Sequence, residues 1–457
     1  MLSEVSWILI IASLAITSLY HITIVVRAIP NLKMVKGLGE KHVFGSYIHS
    51  LSLVIPSKNE PMEIVLGSMD MFKNIKYNLS NRHFSIVYVL DDDLNYVKNL
   101  ISKADMVEDT IVILRINGLY RRNGAINDGF RFSYEENVMV LDIDARVDVE
   151  VIESAMRCEN VCVFPWRTYI RYGTYLEEAV SFMTNYGSWI LYKLRSLSKL
   201  FIYPLGSGTV YRRDIFVSLG MLPPDIVQDD MYLGVKLLGY GVMPRISLKE
   251  YILVSVPQDL YALRIQQSRW SYGTIDVLIR KSIKEFRRSR LDFWTRLEAF
   301  FYLLQPFFTM PYTFGIYLSL VSSIIEKGIG IKGFMPLIFI YILFMALESV
   351  SIYLFLRFEE LYSNRKALFL SGRTSAIMSL ISPYITINAI YGLIGRRLEY
   401  RITPKIKMSS KMDTSIVITI LLAILIICLS IYNHNIPMFI IGLQQIVIGV
   451  YSAIRFR

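Results

Sequence analysis

Cysteine is scarce in this chain: Cys158, Cys162 and Cys428 are the only three in 457 residues. Three thiols build no disulfide framework. Cys158 and Cys162 stand four apart, but no neighbouring His or Cys completes a zinc set, so buried thiols are the expectation. Internal repeats and low-complexity stretches are also missing, which excludes a solenoid or a linker-dominated chain. The amino end has neither a basic leader nor a small-residue cleavage site. Its apolar run over 7–26 therefore reads as a retained anchor and not as a cleaved signal peptide. Charged residues make up only 19% of the chain, against 53% hydrophobic ones. With a mean hydropathy of +0.42, an ordinary soluble protein is excluded and membrane spans are predicted.

Run 7–26 carries no formal charge unless His21 is protonated, and about 20 apolar residues suffice to cross hydrocarbon. Further runs occupy 300–324, 334–356, 414–432 and 436–454. Between them, 373–395 is interrupted by Ser, Pro, Asn and Gly. Arg396, Arg397, Arg401, Lys405, Lys407 and Lys411 follow it, and Arg365, Lys366 and Arg373 stand at its start. The positive-inside rule puts both basic blocks in the cytoplasm. Segment 373–395 is therefore expected to lie in the interface, with five crossings and the amino terminus outside. Arg27, Lys33, Lys36, Lys41, Arg455 and Arg457 then fall inside as well. A net charge of +11 raises nucleic acid as a partner. Because these basic residues border apolar segments, anionic lipid head groups are the expected partner and nucleic acid is not.

The middle of the chain alternates strand and helix patterns. Apolar β-rich runs at 47–56, 84–90, 110–114 and 138–141 are separated by helical spacing at 63–72 and 123–132. Such alternation predicts a mostly parallel sheet in one domain over 46–288, with ligands gathered at the carboxyl ends of its strands. Three acidic signals stand just beyond apolar runs: Asp91-Asp92-Asp93, Asp142-Ile143-Asp144 and Gln228-Asp229-Asp230. Asp142 and Asp144 flank one residue, so both carboxylates can turn toward a common Mg²⁺ or Mn²⁺ that also holds diphosphate oxygens. A solvated turn is the bland alternative. Asp91 or Asp92 can accept a hydrogen bond from a base or ribose, whereas Asp93 suits a helix cap. Asp230, with Asp229 as fallback, suits a general base for attack on an anomeric carbon; an N-terminal cap could claim one of the two. Gln266, Arg269 and Trp270 have helical spacing, with a guanidinium fork for diphosphate and a ring face for a sugar.

At these residues the chain resembles the membrane-integrated family 2 glycosyltransferases, the group of cellulose, hyaluronan and chitin synthases. Pro56-Ser57-Lys58-Asn59-Glu60 is similar to the family's opening P-x-x-N-E loop. Asp91 and Asp92 match its first aspartate motif. Arg122 through Asn127 resembles K-x-G-A-L-N, with Arg122 in place of Lys. Asp142 and Asp144 match the metal-binding DxD. Gly206, Ser207, Gly208 and Thr209 resemble the glycine-rich acceptor stretch. Gln228-Asp229-Asp230 stands where the family carries T-E-D, and Gln266, Arg269 and Trp270 fit QxxRW. Tyr400 through Lys405 resembles the F-x-V-T-x-K gating loop, whose Thr and Lys, here Thr403 and Lys405, reach the nucleotide's phosphates.

The resemblance implies an anchor over 1–27 and a cytoplasmic GT-A-type α/β (Rossmann-like) domain over 46–288. Over 289–457 it implies interfacial helices, a gating-loop-like segment (396–412) and about four further spans. It also implies inverting transfer from a nucleotide-sugar, expected to be a UDP-sugar, with Mg²⁺ or Mn²⁺. Pro56, Asn59, Glu60, Asp91, Asp92, Arg122, Asn127, Asp142, Gln266, Arg269, Thr403 and Lys405 would serve the donor. Trp270 and residues 206–209 would serve the acceptor. A growing β-linked polysaccharide with coupled export at the plasma membrane is the first expectation. Single transfer to a lipid, as in ceramide glucosyltransferase-like proteins, is the second.

Overall fold

The computed structural model describes residues 1–37, 44–79, 84–116, 118–396, 398, 403–405 and 412–456, with backbone alone over 33–37. The side chains counted above at Lys33, Lys36, Lys41, Arg397, Tyr400, Arg401, Ile402, Lys407, Lys411 and Arg457 lie outside the described residues.

Strands β1 (Leu51–Ser57) and β2 (Phe84–Leu90) are buried at every position. They read as unbroken apolar runs because the sheet is covered on both faces. One face receives helices Met62–Asn78 and Leu94–Lys103, through Val65, Phe72, Val97 and Leu100. The other receives helices Arg121–Phe132 and Asp229–Tyr240, through Ile126, Phe130, Leu233 and Leu237. With β3 (Thr110–Leu114), β4 (Asn137–Val140), β5 (Val161–Val163), β6 (Trp166–Tyr169), β7 (Thr209–Arg212), β8 (Arg245–Ile246) and β9 (Ile252–Ser255), two sheets form. The large one runs β3-β2-β1-β4-β7-β5-β8; β6 and β9 pair separately. All pairings in the large sheet are parallel except those of β7, which runs antiparallel to β4 and β5.

Chain order reverses beside β1, whose neighbours are β2 and β4, so a crevice opens at their carboxyl ends. Pro56 fits inside β1 because pairing with β4 stops at Val54, so no ladder partner awaits the N–H that proline lacks.

Cys158 and Cys162 form a disulfide and are not the separate thiols expected. Cys158 follows helix Val149–Ala155 and Cys162 lies in β5, and the short turn brings their Cα atoms to 5.9 Å. That separation suits a bridge. Sequence spacing alone carried no such information.

Among the described residues, six helices are long and apolar enough to cross a membrane: Leu2–Leu32, Gln305–Ile325, Lys332–Glu359, Asn364–Leu393, Thr414–Tyr432 and Ile436–Arg455. The expected run over 300–324 divides, because Phe293–Leu303 is a separate helix and Pro306 starts the next turn. The expected interruption over 373–395 is absent: Asn364–Leu393 is one continuous helix. Pro383 removes a bond to Ser379, and the Ser382 hydroxyl donates to that freed carbonyl at 3.1 Å. Both ends of this helix sit on the α/β domain. Arg373 pairs with Glu178 at 2.7 Å, and Gly392 packs against the backbone at Tyr272 and Asp276. Its middle meets the other long helices, with Ser379 bonded to Tyr312 and Gln445 and Thr386 to Thr313.

Candidate active site

The carboxyl ends of β1, β2 and β4 converge on a cleft of about 450 Å³. Pro56, Glu60, Asp91, Arg122, Asp142, Asp144, Gly206, Ser207, Asp229, Asp230, Gln266, Arg269, Trp270, Thr403 and Lys405 all line it. Residues more than 300 positions apart thus share one wall, and most of the residues expected at a donor or acceptor site are brought together.

Asp91 leaves the end of β2 with its side chain almost fully covered and pairs with Arg115 at 2.6 Å. Burial raises its carboxyl above the ordinary range, with Arg115 opposing. Arg115 also holds Asp128 at 2.8 Å. Sequence reasoning missed Arg115; its only signal was a lone basic residue just past β3. Gly124 is required at this point. A Cβ there would lie 2.2 Å from the Leu119 carbonyl oxygen and 2.3 Å from the Arg115 guanidinium. Tyr120 (φ 67°) and Arg121 (φ 50°) are both left-handed, a costly turn for such residues that delivers Arg122 into the cleft.

Arg122 reaches Asp142 at 2.5 Å, the Gly206 carbonyl at 2.6 Å and Asp229 at 3.4 Å. The nearby Asp144 is largely buried, pairing with Lys405 at 3.0 Å and accepting from the Ser255 hydroxyl. Burial pushes the Asp144 carboxyl up, but Lys405 and Ser255 together hold it below the usual range. Lys405 also pairs with Glu60 at 2.8 Å, whose carboxyl burial pushes up against that partner. Burial disfavours the Lys405 ammonium, yet Asp144, Glu60 and Asp142 raise it. The Gln258 side-chain amide donates to the Pro404 carbonyl (3.0 Å) and the Arg171 guanidinium to the Lys405 carbonyl (3.2 Å), and these bonds hold the downstream segment in place.

The residues present fit a divalent ion. Asp142 and Asp144 offer hard oxygen donors, and the ammonium of Lys405 already rests among their carboxylates as a cation would. No group of three His, Cys, Asp or Glu able to hold a metal occurs among the described residues. Two carboxylates would therefore share the ion with phosphate oxygens and water.

Asp230 opens the helix Asp229–Tyr240. It accepts from the Gly206 N–H at 3.2 Å and its own helix's Met231 N–H at 2.8 Å. Burial, then the neighbouring Asp229 carboxylate, pushes its carboxyl up to about 7. Gln228 ties this loop to the helix Leu260–Val277 through Thr274 at 2.8 Å. That helix carries Gln266, Arg269 and Trp270. Trp270 faces Trp166 with ring centroids 6.1 Å apart, and Trp166 donates to the Ser207 carbonyl at 2.8 Å. No sequence signal marked Trp166.

Five expected residues do not line the cleft. The Asn59 N–H donates to Asp92 at 2.7 Å, so the two fix the turn after β1. Asn127 is buried and exchanges two bonds with the Leu222 backbone. Gly208 (φ 94°) leaves no room for a Cβ beside Ile252, and the Thr209 hydroxyl caps the Leu205 backbone. These motif positions shape the walls and do not face the ligand space. Asp93 caps the helix Leu94–Lys103 through the Asn95 N–H, as expected.

Comparison with known proteins bears on this geometry. Residues 137–354 match the family model for glycosyl transferase family group 2. That stretch is thus similar to a glycosyltransferase family 2 domain. A probable glycosyltransferase of Sulfolobus acidocaldarius is 29% identical over 393 residues, covering 82% of each chain. A solved mannosyltransferase of Pyrobaculum calidifontis, in complex with GDP-Man and Mn²⁺, superposes with a TM-score of 0.56. That match is 13% identical and covers 87% of this chain and 100% of the other. At such identity it speaks for the fold alone: the α/β domain is of GT-A type, as the resemblance implied.

Proposed function

We propose that this family 2 glycosyltransferase transfers a sugar from a nucleotide-sugar to a hydroxyl acceptor at the cytoplasmic face of the plasma membrane, with inversion. The observation that carries the reading is the meeting of Asp230, the Asp142–Asp144 pair and Arg269 in one cleft. Asp230, near neutrality in affinity for a proton, takes the acceptor proton as the hydroxyl oxygen bonds to the anomeric carbon. The bond from that carbon to the diphosphate breaks on the opposite face, and Arg269 and Lys405 steady the departing charge. A divalent ion held by Asp142 and Asp144 would supply further neutralisation of the diphosphate. Asp91, with Arg115 behind it, and Pro56 bound the nucleoside end, and Trp270 and Trp166 offer ring faces to the acceptor. Mn²⁺ and GDP-Man accompany the mannosyltransferase of the same fold, so Mn²⁺ and guanine donors stand beside Mg²⁺ and the UDP-sugars expected from sequence.

For topology, five crossings fit best, with Asn364–Leu393 lying along the interface. Both of its ends pack on the α/β domain, which favours a helix that returns to the side it started from. The acceptor is the open choice between a growing polysaccharide and a membrane lipid. Helix Met310–Ile325 stands at the centre of the crossing helices. It touches the helix Leu2–Leu32 through Ser6 and Gly315, Thr414–Tyr432 through Ser323 and Ser430, and Ile436–Arg455 through Tyr312 and Gln445. A bundle filled at its centre by a helix favours a lipid acceptor. The Thr403–Lys405 segment within the cleft favours polymer synthesis with export as the second reading.

A panel of UDP- and GDP-sugars with purified protein, read by nucleotide release, tests the transfer. Product sizing with a labelled donor separates one lipid-bound sugar from a ladder. Undiminished turnover in Asp142→Asn and Asp230→Asn would sink the assignment.

A further inference from the structure

The helix Leu260–Val277 borders two cavities, and only the first has been described. The second, about 420 Å³, is lined by Tyr261, Arg264, Ile265, Arg269, Tyr384 and Thr414, among others. Positions 261, 264, 265 and 268 repeat at helical spacing on one face, and Arg269 stands at the boundary: it lines both this groove and the catalytic cleft. Tyr384 belongs to the helix Asn364–Leu393, and Thr414 begins the span Thr414–Tyr432. The groove therefore opens where the catalytic domain meets the long apolar helices.

Its chemistry is amphiphilic. Arg264 lies over the Tyr384 ring at 4.6 Å and near the Tyr261 ring at 5.6 Å. It also bonds to the Tyr384 hydroxyl at 2.9 Å and Thr414 at 2.8 Å, with Asp413 at 3.4 Å. The same Asp413 oxygen also accepts from the Ser415 N–H and hydroxyl at the start of its helix. Two guanidiniums, aromatic faces and Ile265 at the edge of hydrocarbon suit an anion joined to an apolar tail.

We propose that this groove is the lateral entrance for an anionic membrane lipid. Its phosphate rests at Arg264, and its hydroxylated head passes Arg269 to reach Asp230. This rests on the glycosyltransferase reading above and names the class of acceptor. In the transfer, the head-group oxygen bonds to the anomeric carbon, its proton goes to Asp230, and the nucleoside diphosphate leaves with the electron pair of the broken bond.

The test uses full-length protein in phosphatidylcholine nanodiscs doped with a diazirine-bearing phosphatidylinositol. Irradiation should label the Leu260–Val277 helix. Ile265→Trp, which fills the groove, and Arg264→Gln should each cut that labelling at least tenfold. Free inositol phosphate in solution should not compete, which separates a lipid head group from a soluble anion. Release of nucleotide from the donor into water should persist in both variants with an unchanged donor KM. Labelling that is undiminished in both variants, or that maps to another helix, overturns the groove. Absence of nucleotide release from the unaltered protein with any donor overturns the transfer reading and leaves the groove judged by labelling alone.

Discussion

Replacing Asp230 with Asn should stabilise the protein at alkaline pH while abolishing its activity. In the folded protein the Asp230 carboxyl is pushed from the ordinary 3.8 to about 7, by burial and by Asp229. In the unfolded chain it ionises near its ordinary value. The fold therefore holds the proton that the unfolded chain releases between these two values. Stability from this group is complete below about 4, falls as pH rises, and is gone above about 7. At roughly 1.36 kcal/mol per tenfold change in affinity, the cost above neutrality reaches about 4 kcal/mol, a ceiling because the cleft admits water. Asn escapes that cost. It also keeps only one acceptor oxygen, so one of the two backbone bonds, from Gly206 or Met231, is lost at about 1–2 kcal/mol. The net gain is about 2 kcal/mol at pH 8 and none, or a small loss, at pH 5. Thermal unfolding of wild type and Asp230→Asn across pH 5–8 reads this directly. A difference in Tm that does not grow with pH would refute the reasoning. The same proton sets the rate. The base works ionised, so wild-type kcat/KM should rise with pH and level off above about 7.

Removing divalent metal with EDTA should cut nucleotide release at least 100-fold, and restored Mn²⁺ should rescue wild type but not Asp142→Asn. Lys405→Met leaves Glu60 and Asp144 without their shared cation. It should cost about 3 kcal/mol in urea unfolding and raise donor KM about tenfold, while tightening Mn²⁺ binding measured without donor. Gly124→Ala drives a methyl into the Leu119 carbonyl and Arg115. It should cost about 2–3 kcal/mol in thermal unfolding and loosen donor binding through the displaced Asp91.

Much of the cleft was legible because parallel strands put their loops at one end. Asp91, Asp142 and Glu60 each follow a strand, and strand position is readable from apolar runs. Asp230 and Arg269 were readable for a different reason: their neighbours match a pattern, although the helices carrying them are far apart in the chain. What was hidden arises from tertiary contact. Arg115 becomes part of the site only when β3 lies beside β2, and Trp166 only when β6 turns under Ser207. Cys158 and Cys162 looked unpaired because spacing alone does not show whether a turn brings two Cα atoms together. Asn127, Gly208 and Thr209 share motifs with ligand-facing residues yet turn inward, since a motif records what a site needs, scaffold included. The helix Asn364–Leu393 reads as interrupted by its Ser, Pro, Asn and Gly, yet these tolerate a helix: Pro383 removes one bond, and the Ser382 hydroxyl takes up the freed carbonyl.

That helix also fixes how an acceptor and the enzyme can meet. With one end on the α/β domain, its middle on the other long helices and its far end on the helix Leu260–Val277, it lies between the domain and those helices. In the proposed topology, a helix placed there would screen the domain from the bilayer directly below and leave a way in from the side. Encounter then becomes a search in two dimensions, governed by how much acceptor the surrounding leaflet holds per unit area. Diluting the leaflet with inert lipid should slow transfer even when the total amount of acceptor in the sample is unchanged.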